Sequence, residues 1–314
     1  MPRLRTRHDG AILIIENCAP LCKMAAHSLK RSDAMLNFIK AVLYGVIEGI
    51  TEWLPISSTG HMILAEQFLQ FDLSDEFLSM FRVVIQLGAI LAVVVLYWKQ
   101  LWPFTRNNHK NTGAARYIKW PIFRLWCKIL VASLPAAVLG LLLDDWMDAH
   151  LYTPLVVGIM LIFYGVVFLV VENRRAAPQV EKLGHITYRD ALIVGVWQVL
   201  ALVPGTSRSG ATIIGGLLLG MSRSVASRFT FFLAIPVMAG ASGLKVVKFL
   251  AGGGVFGGGE MLVLATGCVV AFVTSLAAIR FLMNYVRSHD FKVFGFYRIA
   301  LGVVVLAASI VGFI

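Results

Sequence analysis

The sequence predicts an all-α polytopic membrane protein with six transmembrane helices and two re-entrant helix-loop-helix hairpins, arranged as an inverted-topology repeat. Three observations lead to this fold class. Of the 314 residues, 58% are hydrophobic and 14% are charged, whereas about a quarter of the residues of soluble domains are charged. Six apolar stretches are long enough to cross a bilayer, and two copies of one glycine- and serine-rich pattern interrupt the other apolar sequence.

Each predicted span has about the 20 mostly apolar residues that a helix needs to cross the hydrocarbon core. The spans lie near residues 79–98, 122–143, 153–172, 226–250, 261–283 and 293–314.

The charges of the connecting segments orient these spans. Basic residues concentrate in 99–119, whereas 144–152 contain three aspartates and no Lys or Arg. Cytoplasmic loops carry an excess of Lys and Arg, so the first segment is predicted to be cytoplasmic and the second to lie outside. The same alternation continues to an outside C-terminus, with Lys245 and Lys248 near an outer helix end as the main exception.

The formal net charge of +11 is explained by this orientation and does not indicate nucleic-acid binding. The basic residues fall in connecting segments, and no aromatic and basic motif of a nucleic-acid-binding module is present. The cysteines show no metal-ligand or redox spacing and are assigned no chemistry. They are Cys18, Cys22, Cys127 and Cys268.

Residues 1–34 differ from the rest because they are polar and basic. Their apolar run, residues 11–15, is short for a signal-peptide core, and the predicted topology would place this basic segment outside. We expect either a disordered extension or translation from Met35. Residues 35–314 then form one integral membrane domain.

The two copies of the pattern lie about 150 residues apart. Residues 45–60 read GVIEGITEWLPISSTG, with His61 directly after them, and residues 195–210 read GVWQVLALVPGTSRSG. A gapless overlay places Glu48 on Gln198, Ser57 on Ser207, Ser58 on Arg208 and Thr59 on Ser209. Ionisable residues at membrane depth are functional-site candidates by default.

Each copy predicts a re-entrant hairpin, over about 37–70 and 188–220, because Pro55 or Pro204 and small polar residues break the apolar sequence. With three spans between the hairpins, repeat 2 (about 188–314) would lie upside down relative to repeat 1 (about 37–172). Inverted repeats with broken helices are frequent in transporters, so the layout alone leaves transport open.

Glu48 and Glu52 are the candidate metal ligands of the first copy. Four residues apart on a helix, they share a face, and two such carboxylates repel each other unless a cation or a shared proton holds them. Oxygen ligands favour Mg²⁺ or Ca²⁺, and Mg²⁺ is commonly held by carboxylates together with substrate phosphates. The alternative is a wet helix end whose carboxylates pair with a basic residue.

The rest of the first copy offers hydroxyls and an imidazole. Ser57, Ser58 and Thr59 are candidate phosphate donors or nucleophiles, and His61 is a candidate acid, base or nucleophile. The alternatives are a helix N-cap for the hydroxyls and a hydrogen-bonded structural role for His61.

The second copy predicts an anion site. Arg208 stands between Ser207 and Ser209 at a predicted helix start, with Thr212 nearby. Backbone amides at a helix N-terminus, hydroxyls and a guanidinium together suit a phosphate group. Combined with the carboxylates of the first copy, they are suited to phosphoryl transfer on a metal-bridged diphosphate.

The chain closely resembles the undecaprenyl pyrophosphate phosphatase family, also called the bacitracin resistance protein family. The resemblance rests on EGITEWLPISSTGH and PGTSRSGAT, extends to FRVVIQLGAILAVV, RFTFFLAIPVMAGA and FYRIALG, and covers essentially residues 36–314. It implies hydrolysis of undecaprenyl diphosphate to the monophosphate and inorganic phosphate, which recycles the carrier for peptidoglycan synthesis. It further implies a divalent cation, Mg²⁺ or Ca²⁺, and a multi-pass protein of the bacterial inner membrane whose site faces the periplasm.

The resemblance also implies functional residues and partners. The family's functional positions fall on Glu48, Glu52, Ser58, His61, Ser207, Arg208 and Thr212. The partners implied are undecaprenyl diphosphate, membrane lipid and bacitracin, which competes for the substrate, while a homodimer stays open.

Three mechanisms and two rival functions stay open at this stage. Ser58 or His61 attacks the phosphoryl group, or His61 activates a serine or a water. A lipid-phosphate transporter or flippase would move lipid without releasing phosphate. A binding protein that sequesters the lipid would tolerate loss of His61 better than loss of Arg208.

Overall fold

A computed structural model describes residues 34–105, 117–174 and 176–314. The predicted N-terminal extension, residues 1–34, lies outside the described residues apart from Ala34. The described helices are α1 (Ala34–Thr51), α2 (Ser58–Glu66), α3 (Asp75–Leu101), α4 (Trp120–His150), α5 (Pro154–Asn173), α6 (Tyr188–Val199), α7 (Arg208–Leu218), α8 (Arg223–Ala251), α9 (Gly258–Tyr285) and α10 (Lys292–Ile310). Within these ranges there is no β-strand longer than an isolated bridge, so the protein is all-helical there, as predicted.

Seven of these helices are long and apolar enough to cross a membrane: α1, α3, α4, α5, α8, α9 and α10. Many of their large apolar side chains face outward, among them Leu142 and Ile310, as expected where lipid surrounds a helix. The protein is therefore a multi-pass membrane protein. The sequence predicts six spans because Pro55 and its polar neighbours divide 37–70 into two short apolar stretches. The helix before the break instead runs unbroken for 18 residues, from Ala34 to Thr51.

Polar residues fix where several helices begin. The side-chain oxygens of Ser74, Thr153 and Ser222 accept hydrogen bonds from the backbone N–H three residues later, and these caps start α3, α5 and α8. At α6, Thr187 and Asp190 form a reciprocal capping box. Such caps satisfy backbone donors that the first helical turn leaves unpaired.

The main helix contacts follow one pattern in both halves of the chain. α3 packs on α9 and α8 packs on α4, while α3 and α8 also touch each other. α4 packs on α6, and α1 meets α9 through Gly45 and Gly49. α5 and α10 form the most extensive helix pair. The two halves correspond in order, α1 with α6 through to α5 with α10. Under this correspondence, each contact named above matches another contact named above or matches itself.

Glycines allow these helices to approach closely. On α5, a Cβ added at Gly165 would lie 2.8 Å from Gly295 O, and one added at Gly295 would lie 2.9 Å from Gly165 O. Between α3 and α9 the approach is closer still, because a Cβ at Gly88 would lie 2.0 Å from Cys268 O. Small residues are the usual means by which helices associate tightly inside membranes.

We expect Gly88→Ala to lower the free energy of unfolding by about 1–3 kcal/mol, since overpacking a close interface forces the backbones apart. The control is Gly243→Ala on α8, where an added Cβ would meet nothing within 4 Å. Thermal unfolding of both variants in one detergent checks this. Equal midpoints for the two variants would contradict the packing described between α3 and α9.

Candidate active site

Two strained serines mark the loops of the two repeated motifs. Ser57 has φ 73° and Ser207 has φ 69°, and among the described non-glycine residues only these two have positive φ. Each directly precedes a helix, α2 at Ser58 and α7 at Arg208. Backbone strain of this kind costs on the order of 1–3 kcal/mol per residue and persists only where the surroundings enforce it. The two copies therefore share a backbone geometry as well as a sequence pattern.

An ion pair joins the two loops. Arg208 donates from Nε and Nη2 to Oε1 of Glu52, at 3.2 and 3.0 Å. The two side chains are only 12% and 8% exposed. Removing one partner of a buried ion pair strongly destabilises a protein, because the other charge is left buried without compensation. The burial of Glu52 in the first motif therefore depends on Arg208 of the second motif, and the reverse.

Glu52 is held from two further directions. Ser58 donates its hydroxyl to Oε2 of Glu52 at 3.2 Å, and Ser209 donates to the backbone carbonyl of Glu52 at 3.0 Å. Both carboxylate oxygens of Glu52 are therefore engaged, one by a guanidinium from the second motif and one by a serine from its own motif.

Arg208 is fixed on its other side as well. Its Nη1 donates to the carbonyl of Thr230 at 3.2 Å, and its guanidinium lies 5.8 Å from the ring centroid of the fully buried Trp53. Thr212 donates to the carbonyl of Arg208 at 2.8 Å and accepts from the Thr230 hydroxyl at 2.9 Å. The guanidinium has five N–H donors; three are used here, which leaves two for a ligand.

A cavity of about 150 Å³ lies against this group. Five of the predicted site residues line this cavity: Glu52, Ser58, Thr59, Ser207 and Arg208. Residues of both motifs thus face one small polar space, which is of a size for a phosphate group with water.

Most of the other predicted site residues lie outside the lining of this cavity. Ser209 and Thr212 are buried and hold the backbone at Glu52 and Arg208. Ser57 is buried and its hydroxyl has no hydrogen-bond partner among the described residues. Ser207 has a double placement, because it lines the cavity and also caps α7 by accepting from Gly210 N at 3.2 Å.

His61 points away from the Glu52–Arg208 pair, toward α10. Its Nδ1 lies 2.7 Å from the carbonyl of Ser57, and its Nε2 lies 2.8 Å from the Tyr297 hydroxyl. A carbonyl oxygen only accepts, so Nδ1 carries the proton and a neutral ring then accepts from Tyr297 through Nε2. Both ring nitrogens are therefore engaged outside the cavity.

Glu48 is the deepest carboxylate of the site. It is 1% exposed, and its Oε1 has no hydrogen-bond partner within the part of the chain that the structure describes. Burying a carboxylate oxygen is unfavourable unless a proton, a cation or a hydrogen-bond donor such as water compensates it. Among the described residues, no group of three or more His, Cys, Asp or Glu side chains is arranged to hold a metal ion, so a cation at Glu48 and Glu52 would need further ligands from a substrate or water.

Sequence reasoning missed Arg298 of α10. Its side chain is fully buried and donates to both motif loops, from Nη1 to the carbonyl of Pro55 at 3.3 Å and from Nη2 to the carbonyls of Gly205 and Thr206 at 2.8 and 2.9 Å. One guanidinium thus ties together the two loops that carry the strained serines. A single arginine inside an apolar span was the signal in the sequence that could have identified it.

Comparisons with known proteins identify the family of this chain. Residues 41–304 match the family described as bacitracin resistance protein BacA. A protein named undecaprenyl-diphosphatase from Enterococcus faecalis is 56% identical over 272 residues, which cover 86% of this chain and 96% of that protein. Proteins with the same name from Acetivibrio thermocellus and Desulfitobacterium hafniense are 53% and 52% identical, over 87% and 89% of this chain and 97% and 100% of theirs.

We expect Arg298→Met to loosen both motif loops together, because it leaves three buried carbonyls without their donor, at about 1–3 kcal/mol for each unsatisfied group. Hydrogen exchange of the backbone amides should become faster over 52–60 and 203–210 alike. The control is Arg228→Met, since Arg228 donates to Ser224 O within its own helix. Exchange that is unchanged in both loops, or faster in one only, would contradict the role given to Arg298.

Proposed function

The chain belongs to the bacitracin resistance protein BacA family, and we propose that it hydrolyses undecaprenyl diphosphate to undecaprenyl phosphate and inorganic phosphate. The family resemblance predicted from the two motifs is thereby confirmed. The observation that carries the proposal is the contact of Glu52 with both Arg208 and Ser58, because it gathers a base, a nucleophile and an anion-binding group at one cavity. No observation favours the transporter alternative.

Ser58 is the nucleophile in this proposal, and Glu52 is its base. The Ser58 hydroxyl already donates to Glu52, so the carboxylate can take the proton as the Ser58 oxygen bonds to the terminal phosphorus. The anhydride bond breaks, and undecaprenyl phosphate leaves with the bridging oxygen, which takes the proton from Glu52. A water then attacks the phosphoserine and gives its proton to Glu52. Inorganic phosphate leaves, and Glu52 returns the proton to the Ser58 oxygen.

Arg208 stabilises the charge of the transferred phosphoryl group with its two remaining N–H donors. Preorganised donors of this kind commonly supply a large share of a rate enhancement. Ser207 and Thr59 line the same cavity and offer further hydroxyl donors. Ser209 and Thr212 support the site from behind by positioning Glu52 and Arg208. His61 is hydrogen-bonded to the carbonyl of Ser57 and to the Tyr297 hydroxyl, and through these contacts it orients the start of α2.

A divalent cation fits the carboxylates of α1 and its following turn. Glu48 offers a buried oxygen without a donor, four residues from Glu52. These two residues would hold Mg²⁺ or Ca²⁺ together with diphosphate oxygens. The ion would neutralise charge on the diphosphate and polarise the anhydride.

The finer topology we propose is six full spans with two hairpins in an inverted repeat, in the bacterial inner membrane. Its support is the contact pattern that maps α1–α5 onto α6–α10, and the strained serine shared by both motif loops. In this arrangement α1 and α2 form the first hairpin, and α6 and α7 form the second.

The cavities support a site that opens to the periplasm. Gln86 lines both the catalytic cavity and a second cavity of about 510 Å³. Ser79 and Lys245 join that one to a third cavity of about 640 Å³ at the start of α3 and the end of α8. The charge pattern of the loops predicts that these helix ends lie outside. Lys245, which with Lys248 is the exception to the positive-inside pattern, lines both of these cavities, on the route proposed for water and phosphate.

We expect Glu52→Gln to lower phosphate release from undecaprenyl diphosphate at least 100-fold, the scale of a lost general base. The control is Glu66→Gln. Glu66 pairs with Arg82 at 2.7 Å and does not line the cavity. The control should stay within about fivefold, because a partly exposed ion pair contributes at most about 1 kcal/mol. The assay is inorganic phosphate released in detergent with Mg²⁺, Ca²⁺ or chelator. More than a tenth of wild-type activity in Glu52→Gln would count against the proposal.

We expect a covalent phosphoenzyme on Ser58. Undecaprenyl diphosphate labelled at its terminal phosphate, quenched in acid within one turnover, should leave an acid-stable label on the wild type and on His61→Ala. Ser58→Ala should carry none. A label that is lost in acid would identify a phosphohistidine instead, and label retained in Ser58→Ala would exclude this serine as the nucleophile.

A further inference from the structure

Gln198 of α6 is a buried amide without a partner. Its side chain is 2% exposed, and neither Nε2 nor Oε1 has a hydrogen bond to any described residue. Burying an amide without hydrogen bonds is unfavourable, so a native protein keeps such a group where a ligand or a water binds it. In the overlay of the two motifs it stands at the position of Glu48.

Gln198 is one of the residues that line a groove of about 360 Å³ between α4, α6 and α8. Small and apolar residues make up most of the lining, among them Ala136, Leu141, Pro236 and Leu244. Its other polar side chains are Ser133 and Arg208. The Ser133 hydroxyl donates to Ile129 O at 2.8 Å, and Arg208 binds Glu52 and Thr230. Among the polar side chains of the described lining, Arg208 thus keeps two N–H donors, and Gln198 is the one that makes no hydrogen bond at all.

The groove joins the catalytic cavity. Ala201 and Arg208 line both spaces, and Ala201 follows Gln198 by three residues, which places the two on one side of the chain. A molecule with its diphosphate in the cavity and its apolar chain in the groove must pass from polar to apolar between them. Gln198 lines the groove about one helical turn before Ala201, which lines both spaces.

We infer that the amide of Gln198 binds the phosphate that stays on the lipid. The inference rests on the proposed function, and it names the residue that recognises the part of the substrate retained by the product. Phosphate oxygens only accept hydrogen bonds when ionised, and Nε2 of Gln198 supplies two N–H donors. A neutral amide can do this next to an apolar chain without the burial penalty of a charge.

The difference between the repeats follows from this assignment. Glu48, at the equivalent position of the first repeat, carries a carboxylate suited to a cation, whereas a carboxylate at 198 would repel the lipid phosphate. Gln198 thereby separates the two phosphates by chemistry: the terminal one faces Arg208 and Ser58, and the lipid-linked one faces the amide. Undecaprenyl phosphate should accordingly bind through Gln198, whereas inorganic phosphate should not.

The test compares wild type, Gln198→Leu and Gln198→Glu in detergent. For Gln198→Leu we expect KM for undecaprenyl diphosphate and the inhibition constant of undecaprenyl phosphate both to rise about tenfold, the scale of a hydrogen bond to a charged group. The inhibition constant of inorganic phosphate should stay unchanged, and kcat should change far less than KM. Gln198→Glu should raise the two lipid constants further, because it places like charges together.

The matched control is Ser227→Ala. Ser227 is also fully buried, its hydroxyl also lacks a partner among the described residues, and it lines neither space. It should leave all three constants unchanged. If Gln198→Leu leaves the lipid constants unchanged, a water alone satisfies the amide and the inference is overturned. Equal rises for undecaprenyl phosphate and inorganic phosphate would overturn it too.

Failure of the proposed function can be told apart from failure of this inference. If the wild type releases no phosphate under any metal, the phosphatase proposal fails. Direct binding of undecaprenyl phosphate, followed by tryptophan fluorescence in detergent, then still measures the role of Gln198. Equal binding by wild type and Gln198→Leu would overturn the inference in that case, and tenfold weaker binding by the variant would support it.

Discussion

The buried contact between Glu52 and Arg208 is the interaction on which the rest of the site depends. It joins residues 156 positions apart and lies where water is largely excluded. Taking two charges out of water is expensive, and replacing a buried ion pair by apolar residues is often neutral or stabilising. Stability alone therefore does not explain why this chain keeps the pair. A reaction that needs a carboxylate and a guanidinium at the same phosphate does explain it.

Hydrogen bonds from the surrounding residues hold Glu52 and Arg208 in place. Ser209 fixes the backbone of Glu52, Thr212 and Thr230 fix Arg208, and Arg298 ties both loops from behind. Within the same two loops, Ser57 and Ser207 have positive φ angles, which no other described non-glycine residue adopts. Strain that recurs at the same point of two motifs is an expected property of a preorganised site.

Much of this could be predicted from the sequence, because the two motifs carry their chemistry in residue types and spacing. The all-helical membrane fold followed from apolar length, and the repeat identified Glu52, Ser58 and Arg208 as candidate site residues. Their contacts with one another became visible only in the structure. The separate environments within one motif could not be predicted. Ser58 and Thr59 face the cavity while Ser57 and His61 do not, and that division depends on the left-handed turn at Ser57. The length of α1 could not be predicted, because Pro55 interrupts the apolar sequence and does not show that the helix before it is 18 residues long.

Arg298 and Gln198 show a second limit of sequence reasoning. Each is a single polar residue in an apolar helix, so its meaning depends on which loop or groove the fold places beside it. Arg298 meets three carbonyls from two loops, and Gln198 meets none of the described polar groups. Similar sequence signals thus correspond to a structural clamp in one case and a ligand contact in the other.

The claim that the two repeats form one active site through Glu52 and Arg208 is tested most directly by a double-mutant cycle. The quantity to measure is kcat/KM for phosphate release by wild type, Glu52→Gln, Arg208→Gln and the double variant, each confirmed as folded. We predict that the double variant loses little more than either single variant, with a coupling free energy of about 1 kcal/mol or more. Losses that add fully would contradict the account, because they would mean that the two residues act independently.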